Sequence, residues 1–450
     1  MHKIVILGSG ESGTGAAILA KRVGYDVFVS DKSPIKAQYK TVLEAQGIPY
    51  EEGDHSMDRI LAADEIVKSP GIPEKTDIML AIRTKGIPVI GEIELGYRFT
   101  KNAKIVAITG SNGKTTTTQL IYHLFKSAGY NAYMGGNVGD SYAELVAGAL
   151  DLPETKENKR IYVLEVSSFQ LDDIKTFKPD ISVLLNITPD HLDRYEYEMS
   201  NYVRSKFRIT MNQTEIDLFI TNADDPEIQG YIRQHEGEIR PMMEDIKKED
   251  IKNGIVHLDD DVYDIRPTAL KGPHNIFNAA CAINTAYALG MDQHEIQDGL
   301  LTFVTPPHRL EVVATKDGIT WINDSKATNV DSVYYALQAV ETPIIWIAGG
   351  TDKGNDYSPL FDLVRERVKA LVCLGVDNEK LKTVFGTYGF PIVEAKSAKE
   401  AVEQAQKLAN KGETVLLSPA CASFDLFKNY EDRGDQFKAA VVAIKSKNEE

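Results

Sequence analysis

Cysteine is scarce. Cys281, Cys373 and Cys421 are the three in 450 residues, too few and too scattered for a disulfide framework, and none falls in metal-ligand spacing. That excludes the small disulfide-stapled scaffolds and fits a reducing compartment. No uninterrupted apolar run approaches the length of a membrane-spanning helix. An excess of positive charge is also missing: 66 acidic against 50 basic residues leave a net charge of −16. A sequence-independent grip on nucleic acid needs basic surface, so that class is excluded, while a local basic pocket for an anionic ligand is not. No Ser-His-Asp or Cys-His arrangement is evident. A strand begins at Lys3, so no signal peptide is expected, and the cytoplasm is the expected compartment.

What is present is an ordinary globular composition, 43% hydrophobic and 26% charged, at a length that suggests about three domains. The most informative stretch is Ala103 to Thr118. An apolar β-branched run, Ile105–Ile108, predicts a buried parallel strand. Gly110-Ser111-Asn112-Gly113 then makes a tight turn, followed by Lys114, Thr115, Thr116 and helical spacing through Phe125. Strand, glycine turn, Lys-Thr and helix describe a phosphate cradle, with Lys114 reaching the β- and γ-phosphates of a nucleotide and the Thr115 hydroxyl on Mg²⁺. One glycine of the general pattern is absent, its place taken by Ile108, so the loop is shorter than the standard one.

The first segment, 1–98, opens with the strand Lys3–Leu7 and Gly8-Ser9-Gly10-Glu11-Ser12-Gly13, then helical spacing from Ala16 and a strand ending at Asp31. This is the dinucleotide fingerprint, and on its own it favours NAD or FAD. Its physical content is broader: glycines admit a diphosphate, and Asp31 could accept a ribose hydroxyl from a uridine nucleotide equally well. Ser69-Pro70-Gly71 follows the strand Glu65–Lys68 and belongs on the ligand edge of a parallel sheet. In the second segment, 99–305, Gly135-Gly136-Asn137-Val138-Gly139 is another glycine cluster. Ile161–Leu164 ends in Glu165, where a Mg²⁺ carboxylate would sit, and Ile181–Leu185 delivers Asp190-His191. Three strands with polar ends thus converge on one sheet edge. His191 suits a metal ligand or an orienting group, Lys206 reads as a surface charge, and residues 215–270 read as sheet-edge filler around one strand, Leu218–Thr221. Asn275 and Asn278 share one face of a helix turn and could hold a ligand together, or Asn275 could simply cap the helix. The third segment, 306–450, alternates strands and helices and again ends two strands in small-residue loops, Gly349–Gly354 and Ser418–Ser423. The fold class is α/β in three domains: Rossmann-like at each end, with a central P-loop-type, mostly parallel sheet.

Together these motifs resemble the Mur ligase family of ATP-dependent amide-forming enzymes. The short loop Thr109–Thr115 matches the family, as do Gly136–Gly139, Glu165–Gln170, Asn186–His191, His274-Asn275, His308-Arg309 and Asn323–Asn329. The N-terminal fingerprint with Ser69-Pro70-Gly71 and the C-terminal Ser418–Asp425 and Phe427–Tyr430 select D-glutamate as the amino acid added. The resemblance implies that ATP activates UDP-N-acetylmuramoyl-L-alanine as an acyl phosphate, which the D-glutamate amine attacks, in cytoplasmic peptidoglycan precursor synthesis. It implies ATP and two Mg²⁺, small-molecule substrates only, and a monomer. It assigns UDP-substrate contacts to Ser12, Asp31, Ser69, Pro70, Gly71 and Asn137, and ATP to Gly110–Thr116, Asn275, Arg309 and Asp324. Metal falls to Thr115, Glu165, His191 and Lys206, the last as a carbamylated lysine. The D-glutamate pocket falls to Lys326, Thr328, Lys353, Ser423 and Phe424. Catalysis rests on Lys114, His191 and Lys206. Position 430 is Tyr where relatives are expected to carry Phe. The competing classes are an NAD-dependent oxidoreductase, an ATP-dependent phosphotransferase, a non-catalytic nucleotide switch, and a Mur-type ligase adding another amino acid.

Overall fold

Each apolar, β-branched run becomes a strand, and the helices between them return the chain so that the strands lie parallel. The structure is a computed structural model that describes residues 1–152, 159–352 and 354–444. In the N-terminal part, β1 (Lys3–Leu7), β2 (Asp26–Asp31), β3 (Tyr50–Glu52), β4 (Glu65–Lys68) and β5 (Val89–Ile90) form a parallel sheet in the order β3-β2-β1-β4-β5. The helix Glu11–Arg22 lies against it on Ala16, Ala17, Leu19 and Ala20, all fully buried.

The second sheet contains β6 (Ala103–Thr109), β7 (Ala132–Gly136), β8 (Arg160–Glu165), β9 (Ile181–Leu184), β10 (Leu218–Asn222) and β11 (Met242–Ile246). All pairings are parallel, in the order β11-β10-β9-β6-β8-β7. β6 therefore sits between β8 and β9, and the loops after Thr109, Glu165 and Leu184 open side by side. Ala17, Ala20, Ile93, Tyr142, Val146 and Tyr162 belong to one hydrophobic cluster that joins this sheet's helices to those of the first. Met1–Pro267 and Phe277–Phe303 accordingly form one compact unit. The stretch 215–270 is more than edge filler. Besides β10 and β11 it folds an antiparallel ribbon, β12 (Ile251–Lys252), β13 (Ile255–Leu258) and β14 (Asp261–Asp264). Its strands are only two to four residues long, which leaves little alternation for pattern to register.

Thr268–Ile276 with Val304 onward forms the second unit. Its sheet holds β15 (Glu311–Lys316), β16 (Ile319–Asn323), β17 (Ile344–Ala348), β18 (Val368–Leu374), β19 (Ile392–Ala395) and β20 (Thr414–Leu417), in the order β15-β16-β20-β17-β18-β19. Only β15 runs antiparallel, turned back at Asp317-Gly318, where both residues have positive φ (52° and 73°) as a tight hairpin requires. Trp321 and Trp346 are fully buried on this sheet. β19, half-buried at the sheet's edge, was not anticipated from its pattern.

Candidate active site

The phosphate loop is held in shape before any ligand arrives. Gly113 has φ +85°, and a Cβ there would lie 2.6 Å from Asn278 Oδ1, so both conformation and space demand glycine. Ser111 N donates to Asn186 O at 2.9 Å and Asn112 N to Asn186 Oδ1 at 2.8 Å, so the residue after β9 clamps the loop after β6. The helix Lys114–Ser127 starts directly behind it with no side-chain cap, leaving its first amides aimed at the loop. Lys114 Nζ folds back to donate to Gly110 O (2.7 Å) and Ser111 O (2.9 Å). Thr115 Oγ1 donates to Glu165 Oε2 at 2.8 Å, and Thr116 is buried.

Glu165 closes β8 with its carboxylate buried, and its other oxygen accepts from Asn137 Nδ2 at 2.7 Å. Of the expected phosphate, Mg²⁺ and substrate contacts, Thr115, Glu165 and Asn137 are thus one hydrogen-bonded group, while Lys114 bonds the carbonyls of the adjoining loop. Lys206 joins it. The surface-charge expectation is wrong: Lys206 is 1% exposed, and its Nζ donates at 2.8 Å to the same Gly110 carbonyl that Lys114 uses. The helix Met199–Phe207 carries it inward because Tyr202, four residues earlier, packs on the same face, its ring 4.6 Å from Nζ and its hydroxyl 3.1 Å from Ser111 Oγ. Burial, reinforced by the Lys114 charge, pushes the Lys206 amine well below its ordinary range, the direction that disfavours the ammonium. Tyr202 was missed from sequence; its i, i+4 relation to Lys206 was the available signal.

His191 lies on the loop after β9. It has φ +53°, its ring packs 5.2 Å from Phe169, and Nε2 lies 3.4 Å from Asp190 Oδ2. Among the described residues no three His, Cys, Asp or Glu side chains gather as a metal cage. The oxygen pair Thr115 and Glu165 does suit a hard cation. Lys206 as an ammonium would not; only its neutral amine, converted to a carbamate, presents oxygen.

At the neighbouring sheet, Asp31 first closes its own glycine loop, accepting from Ser9 N and Ser9 Oγ, both at 2.7 Å. A Cβ at Gly13 would come within 1.9 Å of Gly8 O, so the helix bearing Ser12 starts in backbone contact with the loop. Ser69 N donates to Leu7 O (2.9 Å), which sets Ser69-Pro70-Gly71 beside the glycine loop. Arg194 Nη2 donates to Pro70 O (3.2 Å), linking this turn to the His191 loop.

The helix Pro273–Ala288, of which only the start through Ile276 belongs to the second unit, begins before Asn275, which therefore does not cap it; the Asn275 Nδ2 donates back to Lys271 O at 2.9 Å. Asp324 accepts from Ser418 Oγ (2.9 Å) and Leu310 N (3.1 Å), and burial raises its carboxyl to about 7 despite the Arg309 and Arg433 charges. Lys326 Nζ lies 3.7 Å over the Tyr430 ring, while the Tyr430 carbonyl accepts from Ser325 Oγ. Thr328 N donates to Lys326 O, Ser423 is buried, and Phe424 is 74% exposed. Lys353 lies outside the described residues. Sequence gave no sign of Arg433, a fully buried guanidinium that donates to Ser325 Oγ, Ser325 O and Cys421 O and so ties two of these loops together.

Comparison with known proteins covers the chain end to end. The MurD N-terminal domain matches residues 3–78, the Mur ligase middle domain 108–286, and the Mur ligase glutamate ligase domain 308–421. The chain is 51% identical over 452 residues to the UDP-N-acetylmuramoylalanine--D-glutamate ligase of Bacteroides fragilis, covering 98% of this chain and 99% of the relative. Among solved structures it shares the fold of UDP-N-acetylmuramate-alanine ligase MurC from Thermotoga maritima (TM-score 0.60, 18% identity, 99% and 100% coverage). It likewise shares the fold of MurF ligase from the same organism, solved in complex with ADP (TM-score 0.59, 16% identity, 86% and 91% coverage). By its three domain matches and its 51% identity to the Bacteroides fragilis enzyme, the chain belongs to the Mur ligase family, on its UDP-N-acetylmuramoylalanine--D-glutamate ligase branch.

Proposed function

We propose that this chain is an ATP-dependent amide ligase that joins D-glutamate to UDP-N-acetylmuramoyl-L-alanine, acting as a cytoplasmic monomer in peptidoglycan precursor synthesis. Residues 1–98 take the UDP-linked substrate, 99–305 take ATP, and 306–450 take the amino acid. The observation that carries this is the arrangement around Gly110. Lys114 and Lys206 both donate to its carbonyl, while Thr115 faces the buried Glu165, so one short loop gathers two lysine nitrogens and a pair of oxygen ligands where a phosphoryl group would transfer.

The γ-phosphoryl group passes from ATP to the terminal alanyl carboxylate. The D-glutamate amine then adds to the acyl carbon, and the tetrahedral intermediate expels phosphate as the amide forms. Lys114 offsets charge on the transferring oxygens, the largest lever available to such a site. Ser12, Asp31 and the Ser69–Gly71 turn hold the UDP group, with Asn137 between that substrate and Glu165. Asn275, Arg309 and Asp324 take the adenosine. Lys326, Thr328, Lys353, Ser423 and Phe424 bind D-glutamate. Thr115 and Glu165 would hold one Mg²⁺, and His191 with the carbamate of Lys206 a second; bound there, the ions neutralise phosphate charge. Burial that disfavours the Lys206 ammonium suits carbamate formation: the deprotonated nitrogen bonds to the carbon of CO₂ and gives up a proton.

A phosphotransferase would need the phosphate loop alone, and an NAD enzyme leaves Lys114, Thr115 and Glu165 without a role. The test is phosphate release from ATP and UDP-N-acetylmuramoyl-L-alanine, with and without D-glutamate. Release that depends on D-glutamate and yields amide supports the ligase; release or stable phosphoryl transfer without D-glutamate overturns it.

A further inference from the structure

Glu92 is a carboxyl that the chemistry above does not use. It opens the helix Glu92–Phe99 and is 3% exposed. Its Oε1 accepts from Ser141 Oγ at 2.7 Å and from Ala143 N at 2.5 Å, whereas Oε2 has no hydrogen-bond partner among the described residues. Burying a carboxyl with one oxygen unsatisfied is unfavourable, and packing alone would be better served by an apolar side chain. The position therefore calls for what the carboxyl holds.

It holds the base of the Asn137 loop. Ser141 caps the helix Tyr142–Ala149 and is fully buried. Between β7 and that helix the chain makes one short excursion. Gly136 N donates to Asp140 O at 3.0 Å, Asn137 N to Glu165 O at 2.8 Å, and Asn137 Nδ2 to Glu165 Oε1 at 2.7 Å. On its other side the Ser141 hydroxyl meets the helix that follows the glycine loop: a Cβ on Gly15 would lie 2.2 Å from Ser141 Oγ. One carboxyl oxygen thus fixes the hydroxyl at which the glycine-loop helix and the Asn137 loop come together.

We propose that Glu92 is a positioning residue for the UDP-linked substrate. Through Ser141 and Ala143 it locks the loop presenting Asn137 in register with the glycine loop on one side and Glu165 on the other. The proposal rests on the ligase assignment for its substrate, though not for its geometry.

The test compares Glu92→Ala, Glu92→Gln and Ser141→Ala in the full chain, by steady-state kinetics and by hydrogen exchange of the amides from 137 to 143. Glu92→Ala is expected to raise KM for UDP-N-acetylmuramoyl-L-alanine on the order of tenfold, the scale of losing a buried hydrogen-bond acceptor, with KM for D-glutamate unmoved. Ser141→Ala should shift the same KM in the same direction, so the result stands even if Glu92→Ala does not fold. Glu92→Gln keeps the accepting oxygen and should restore the wild-type KM. Exchange across 137–143 should quicken in both alanine variants. A Glu92→Ala enzyme with wild-type KM and exchange, or a Glu92→Gln enzyme as impaired as Glu92→Ala, would overturn the proposal. Should the wild type not turn over this substrate, the ligase assignment falls, and the exchange rates alone then decide whether Glu92 holds the loop.

Discussion

Lys114 and Lys206 show how far single residues can be judged from their neighbours in sequence. Lys114 is legible because Gly113-Lys114-Thr115 after a strand is a local motif. Lys206 is not, because its burial comes from packing against a loop almost a hundred positions earlier in the chain. Replacing Lys114 with Ala should lower ligation about a thousandfold, the scale of losing a charge aimed at the transferring group, with the circular dichroism spectrum unchanged. Near-normal turnover would contradict the phosphate-loop assignment. Glu92 gives a prediction of another kind. Burial raises its carboxyl from 4.5 to about 7, against the hydrogen bonds of Ser141 and Ala143 and with help from the Glu11 charge. Tyr142 also faces it; Asp140 and Glu144 face Glu11, and Asp173, paired with Lys68, packs on Gly91. Between those two values the folded chain binds the extra proton, so stability falls as pH rises through the window, by up to about 3 kcal/mol once complete. Asp324 acts in the same sense, so only the difference between proteins isolates Glu92. In urea unfolding, Glu92→Gln should therefore gain on the wild type as pH rises from 4.5 to about 7; a constant gap would contradict it.

Among elements, the loops at strand ends were legible and the edges were not. The glycine turns at Gly8–Gly13, Gly110–Gly113, Gly135–Gly139 and Gly349–Gly354 lie at the carboxyl ends of parallel strands, because apolar runs and glycines are both local signals. β19 and the ribbon β12–β14 escaped because short, half-exposed edge strands carry little periodicity. The glycine-loop helix offers a direct check. A Cβ at Gly13 meets Gly8 O, a backbone atom with nowhere to move. Gly13→Ala should cost about 2 kcal/mol or more and weaken binding of the UDP-linked substrate, read by thermal unfolding and calorimetry. An unaltered melting temperature and affinity would show that the loop does not need this contact.

Over the whole molecule, three sheets were expected from the alternation of strands and helices, and three large parallel or mostly parallel sheets are present. What the alternation could not carry is that the first two share one hydrophobic cluster, since the side chains that fuse them, such as Ala17, Ile93 and Tyr142, are far apart in sequence. That fusion places the glycine loop, Asn137 and Glu165 in one compact unit. The central claim, an acyl-phosphate ligase specific for D-glutamate, is tested most directly with UDP-N-acetylmuramoyl-L-alanine whose terminal carboxylate carries heavy oxygen. Incubated with ATP and, separately, D-glutamate, L-glutamate, L-alanine or L-lysine, the enzyme should release phosphate and form amide only with D-glutamate, and that phosphate should carry one labelled oxygen from the carboxylate. Unlabelled phosphate, or amide formed equally well with another of the four amino acids, would contradict it.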